Sequence, residues 1–329
     1  MKPIARAGAL LLAGTAIAAG AIAFAQIPAA TLKQADDALQ AGEADRALSR
    51  LTTLPAQGQG AADAQNLICR VRFTLQQWDA AVTACEQAVR LDPGSSIDHM
   101  WLGRALGEKA SRASFLTAYS LGKRVRAEFE QAVQLDPRNA GALSDLGVFY
   151  KDAPGIVGGG TDKAEAIAAQ LDKVNPAKAY ELRGNIDVLR KDYVSAERDF
   201  KQAVAVSPHP AEQWTILANF YRNQKRWNDF DAAIQSCVSA AARDRNSGVG
   251  LYDGAGILIE TRRNPALAAK MLEDYLAGSS KSEEAPAFIA HARLGQLKQH
   301  LGDAAGAKQE FAAAAAMARE YNPAQTSKP

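Results

Sequence analysis

Metal and thiol chemistry have little to work with in this chain: its 329 residues include three cysteines and four histidines. His99, His209, His291 and His300 fall in separate stretches, and neither an H-x-x-x-H nor a C-x-x-C spacing occurs. No metal site is therefore expected. A G-x-S-x-G nucleophile elbow is also missing, and the acidic residues form no pair distinct from a solvated helix surface. Catalysis and a bound cofactor are not expected. No Pro/Gly/Ser-rich linker divides the chain, although it is long for one compact core.

An excess of one charge is lacking too. The first residues, Met1 to Arg6, are basic, and an apolar run without an acid follows from Ala7 to Phe24. Ala23-Phe24-Ala25 gives the small-x-small pattern of a signal-peptide cleavage site, leaving Gln26 as the new N-terminus. An uncleaved membrane anchor is the competing reading; the Ala and Gly richness and the A-x-A end favour cleavage, with no stable membrane insertion afterwards. No cysteine follows the site, which argues against a lipid anchor. Removing Lys2 and Arg6 lowers the 38 basic residues to 36, equal to the 36 acidic ones. A neutral mature chain offers no electrostatic case for nucleic acid or an anionic membrane. No N-x-Ser/Thr sequon follows the leader, in keeping with a bacterial exported protein, periplasmic or secreted.

What is present is a repeat. Between 139 and 208, Leu146-Gly147, Tyr150, Ala164 and Asn175-Pro176 are followed by Tyr180, Gly184, Tyr193, Ala196, Phe200, Ala203 and Ser207-Pro208. Small residues recur where two helices would cross, and each proline ends a helix by removing a donor and disfavouring helical geometry at the residue before it. The pattern resembles the tetratricopeptide (TPR) repeat. Laid on that template, the chain divides near 28–60, 62–95, 96–138, 139–176, 177–208, 211–244, 249–278 and 288–321. The resemblance implies an all-α fold, a right-handed α-solenoid of about eight helical hairpins over 26–323. A signal peptide (1–25) would precede it and a disordered tail (324–329) would follow. Insertions are expected near 108–123 and 153–160.

The second insertion, Ala153 to Gly160, is glycine-rich. Gly155 and Gly160 have P-loop spacing, but Thr161-Asp162 follows in place of Lys and Ser/Thr, and the preceding element reads as a helix. A structural turn is the expectation. The Ala-Pro and Gly-Gly-x-x-x-Lys-Ala segments here are similar to those of bacterial exported TPR proteins, including some periplasmic partners of TRAP-type transporters. That resemblance covers residues 96–176.

Cys69 and Cys85 fall on facing sides of the two helices of the second repeat. Two readings stand: a disulfide, which export would permit, or two small core residues. Cys237 sits at a packing position and reads as a buried thiol. In TPR arrays the first helix of each repeat lines the concave face, which implies partner-binding roles for Asn66, Arg70, Met100, Arg104, Glu181, Asn185, Asn219 and Arg222. The chain is expected to be a non-catalytic scaffold or adaptor that takes a protein or peptide partner in its concave groove. The alternative is a small-ligand-binding accessory of a transport system, with Phe115, Tyr119 and the Pro154–Gly160 loop lining the pocket.

Overall fold

The structure, a computed structural model, describes residues 26–321; the expected leader (1–25) and tail (324–329) lie outside the described residues. Among the described residues, sixteen α-helices run in eight consecutive pairs, matching the expected number of hairpins. The first four pairs are α1 (Ala29–Gln40) with α2 (Ala44–Leu51), α3 (Ala61–Thr74) with α4 (Trp78–Leu91), α5 (Ser96–Ser111) with α6 (Phe115–Leu135), and α7 (Ala140–Asp152) with α8 (Thr161–Leu171). The remaining four are α9 (Pro176–Leu189) with α10 (Tyr193–Val206), α11 (Pro210–Asn223) with α12 (Trp227–Ala241), α13 (Gly248–Glu260) with α14 (Pro265–Ala277), and α15 (Ala287–His300) with α16 (Ala304–Met317).

In six hairpins the turn passes through the left-handed region at Gly42, Gln76, Lys191, Lys225, Arg262 and Gly302, with φ between 52° and 86°, and in the seventh also at Asn264, with φ 40°. Gln76, Lys191, Lys225 and Arg262 carry a long side chain there and accept a cost of about 1 kcal/mol each. The third and fourth hairpins differ. The extra residues near 108–123 prolong α5 and α6 on either side of a short turn and add no helix. The 153–160 segment folds into a 3-10 turn at Gly155–Val157. The Gly160 amide donates to the Tyr150 carbonyl at 2.7 Å, and a Cβ on Gly159 would lie 1.8 Å from the Ala153 carbonyl oxygen. Backbone approach, not a ligand, accounts for that glycine.

Within hairpins, the crossing positions show why small residues recur. A Cβ on Gly103, Gly184 or Gly295 would sit 2.5, 2.7 or 2.7 Å from the ring of Phe129, Phe200 or Phe311. In the second hairpin, Cys69 and Cys85 take these two places, with Cα atoms 5.1 Å apart and sulfurs joined.

The buried side chains form two apolar clusters. One runs from Cys69 to Ile186. The other unites α1, α2 and α3 with buried residues of α10 to α15 and Ala318, so the start and the end of the solenoid share a core. Gly42 is pressed against Ala287, where a Cβ would fall 2.6 Å from the backbone nitrogen. Around this seam, Arg319 Nε pairs with Asp45 at 2.6 Å and Arg72 Nη1 with Glu320 at 2.6 Å. The solenoid thus closes on itself around an inner face built from the odd-numbered helices.

Candidate functional site

On α9 the residues three before and one after the crossing glycine Gly184 are Glu181 and Asn185. On α11 Asn219 and Arg222 follow the crossing Ala218 at one and four positions. Such spacings keep side chains on one helix face. The structure brings all four together with Asp253 of α13 and Arg293 of α15 around one cavity of about 440 Å³.

Donors and acceptors both line the cavity, and an ion-pair bridge reaches its edge at Glu181. Lys178 Nζ bridges Glu181 at 3.0 Å and Glu212 at 2.7 Å; burial works against its charge, but the two carboxylates more than offset it and raise its pKa. Asn185 Nδ2 donates to the Glu181 carbonyl at 2.9 Å, leaving its own amide oxygen open. Arg222 Nη1 pairs with Glu260 at 2.7 Å. The Asn219 side-chain amide has no hydrogen-bond partner among the described residues. The Arg293 guanidinium lies over the Tyr252 ring, 4.5 Å from its centroid. Asp253 has no ion pair among the described residues; burial first, and then the Glu212 charge, push its carboxyl up to about 7.

The other four nominated residues are placed differently. Asn66 is buried and donates to Asp98 Oδ1 at 2.6 Å, where burial pushes the Asp98 carboxyl up to about 6. Met100 is a core residue, 8% exposed, so its thioether sits in the apolar cluster instead of the groove. Arg70 is engaged by Glu283 and Asp36. Arg104 holds Asp145 at 2.6 Å and lies over Trp101. It also borders a second cavity of about 670 Å³, walled by Phe73, Phe129, Val148 and Phe149.

That second cavity is beside the insertions, yet the residues expected to line a small-ligand pocket there do not do so. Phe115 is 75% exposed, Tyr119 carries Lys123 over its ring, and Val157 is turned in against α6 at Gly122. The prolonged helices carry Phe115 and Tyr119 outward.

Each of three histidines meets a carboxylate: His99 with Glu128, His209 with Asp244 and His291 with Glu310. The second nitrogen of His99 faces the Pro93 carbonyl at 3.2 Å, which leaves it no nucleophile to activate. Burial pushes the Cys237 thiol up to about 12, well away from thiolate reactivity. Among the described residues no three His, Cys, Asp or Glu side chains cluster as a metal site, and no helix is long and apolar enough to cross a membrane.

Asp253, Lys178 and Glu283 were missed by sequence reasoning. The inward offset applied to α13 reaches Tyr252, the neighbour of Asp253, so extending it to the seventh repeat would have found that edge of the cavity. The connection between α14 and α15 is long and carries Glu283-Glu284, a length signal of its own.

No family model and no curated protein matches the chain. Among solved structures, a thermophilic TPR protein of Thermus thermophilus is similar at 17% identity and a TM-score of 0.49, over 58% of this chain and 97% of that one. PilF of Pseudomonas aeruginosa is similar at 16% identity and a TM-score of 0.40, over 77% and 96%. Paired helices throughout, small residues at the crossings and a shared inner face are features of this chain itself, and they make it a TPR-like helical-repeat protein.

Proposed function

We propose that the chain is a non-catalytic scaffold that holds a segment of a protein partner along the inner helices of its fifth to eighth hairpins. One observation carries this reading: Glu181, Asn185, Asn219 and Arg222 share a single cavity with Asp253 and Arg293. Small-molecule pockets are mostly apolar with a few polar groups, whereas this one is polar and assembled from four successive inner helices. An amide such as that of Asn219 can donate to and accept from an extended backbone. Arg222 and Arg293 supply directional donors for carbonyls or carboxylates. The stacked hairpins need little reorganisation on binding. The same proposal places the mature chain in the periplasm, from its basic and apolar leader and the fit of Cys69 and Cys85 to an oxidising compartment.

A second reading, a small-ligand accessory of a transport system, attaches to the apolar cavity walled by Phe73, Phe129 and Phe149. Native mass spectrometry of the protein recovered from the periplasm of its own cells separates the two. A second polypeptide that is retained by the native chain and lost from an Asn219→Ala/Arg222→Ala variant is the expected result. A retained small molecule insensitive to that variant supports the second reading instead, and a polypeptide held equally by both proteins overturns the assignment of the site.

A further inference from the structure

The connection between α14 and α15 is an ordered strap. Tyr275 Oη donates to the Ala285 carbonyl, and Lys281 Nζ donates to the carbonyls of Leu276 and Gly278 at 2.9 and 2.6 Å. The Ala285 amide closes a tight turn on the Ser282 carbonyl at 3.0 Å. Glu283 and Glu284 stand at the tip of that turn.

The tip enters the inner face of hairpins more than 200 residues away. Arg70 of α3 meets Glu283 as a fork: its Nε lies 3.1 and 2.9 Å from the two carboxylate oxygens, and its Nη2 lies 2.5 Å from Oε1. Gln40 of α1 grips the same residue twice, its Nε2 donating to Oε1 at 3.3 Å and its Oε1 accepting from the Glu283 amide at 3.1 Å. Arg70 and Glu283 side chains are 16% and 11% exposed, so this pair is the buried part of the seam. The Arg319–Asp45 and Arg72–Glu320 pairs are far more open, with Arg319 82% and Glu320 52% exposed. Glu284 is held by no ion pair among the described residues; burial, aided by the charges of Glu212 and Glu283, raises its carboxyl pKa against the opposing pull of Arg104 and Lys178.

The Gln40 side-chain amide and the forked Arg70 guanidinium together make up a recognition site for a carboxylate on a turning backbone whose own N–H donates to Gln40. It lies on α1 and α3, on the same inner face as the proposed groove, and it is filled by the chain's own residue. We propose that the Ser279–Pro286 strap is a built-in competitor: Glu283 occupies a carboxylate site made by Arg70 and Gln40, and an acidic segment of the partner takes its place. Within the groove-binding reading, on which this assignment rests, the strap favours partners whose acidic side chains match the Glu283-Glu284 tip and holds weaker ones off. Tethering gives the strap an effective concentration in the millimolar range, so a competing segment must exceed that.

The probe is a fluorescent, end-capped peptide of residues 279–286 titrated into the full chain. Removing the tethered carboxylates with Glu283→Ala/Glu284→Ala is expected to tighten peptide binding by about tenfold or more over the native chain. Adding Arg70→Gln to that variant is expected to abolish binding, as is placing Gln at both glutamates of the peptide. Equal binding by the native and strap variants overturns the proposal, as does equal binding of the Gln peptide. Hydrogen exchange of α11, unchanged from the native chain, confirms that each variant is folded. As a second measurement, the distance between spin labels at Ser49→Cys and Lys308→Cys is expected to lengthen in the strap variant, and an unchanged distance counts against the strap's hold on α1 and α3. The groove reading fails separately, through partner binding indifferent to Asn219→Ala/Arg222→Ala.

Discussion

Cys69 and Cys85 occupy, in the second hairpin, the crossing that Gly184 and Phe200 occupy in the fifth, with the same sixteen-residue separation. Where the third, fifth and eighth hairpins bring helices together by fitting a ring over a glycine, this one uses two buried sulfurs. In the proposed periplasmic location we expect the pair to be oxidised. Closing a loop of this size contributes about 3 kcal/mol through the unfolded chain. Cys69→Ser/Cys85→Ser should therefore lower the midpoint of thermal unfolding markedly. Cys69→Gly/Cys85→Phe, which restores the packing used elsewhere, should recover part of the loss. A native chain whose melting ignores a reducing agent would contradict the bond.

Gly184 tests the crossing itself. A methyl group there would lie 2.7 Å from the Phe200 ring, and Phe200 is buried with little room to yield. Gly184→Ala should destabilise the protein by about 1–3 kcal/mol despite the better helix propensity of alanine. Denaturant unfolding measures it, with Gly107→Ala, where the Cβ would meet nothing within 4 Å, as the control that should stabilise.

The turns carry the opposite lesson. Lys225 holds φ at 57° on an exposed hairpin turn, a conformation that glycine adopts freely. Lys225→Gly should stabilise the fold by about 1 kcal/mol, read as a shift of the urea midpoint without a change of slope. A loss of stability would mean that the lysine side chain makes up for its backbone.

Asp253 gives the cavity a pH response. In the unfolded chain its carboxyl ionises near pH 4, but in the fold burial delays this to about 7. Between those values the unfolded chain gives up its proton first, so rising pH favours unfolding; the contribution is fully present below about pH 4 and gone above about pH 7. Asp253→Asn should remove this slope and stabilise the protein at pH 8 by an amount on the order of 2 kcal/mol. Parallel stability–pH curves for both proteins would show the aspartate to be better solvated than the structure places it.

Much of the architecture was legible because it is local. Pairs such as Gly184 with Phe200 recur at fixed offsets, and offsets survive in a sequence; Asn175-Pro176, expected to end a helix, instead caps and opens α9. Half of the nominated inner residues reached one cavity because helix geometry carries Glu181, Asn185, Asn219 and Arg222 inward together. Asn66 and Met100 had the same offsets and were buried instead: Asp98 of the next hairpin captured the amide, and the core took the thioether. No offset within a repeat can report what a neighbouring repeat will do. Least legible was the closure of the solenoid, since Arg70 and Glu283 meet only because eight hairpins bring the last connection back to the first helices.

The most direct test of the scaffold reading is site-specific photo-crosslinking in the organism's own cells, with a benzophenone side chain placed at Asn219, followed by mass spectrometry of the adduct. The account predicts one recurring polypeptide, crosslinked through a defined segment and lost when Asn185→Ala/Arg222→Ala is added. No adduct at Asn219, or one indifferent to those substitutions, would contradict it.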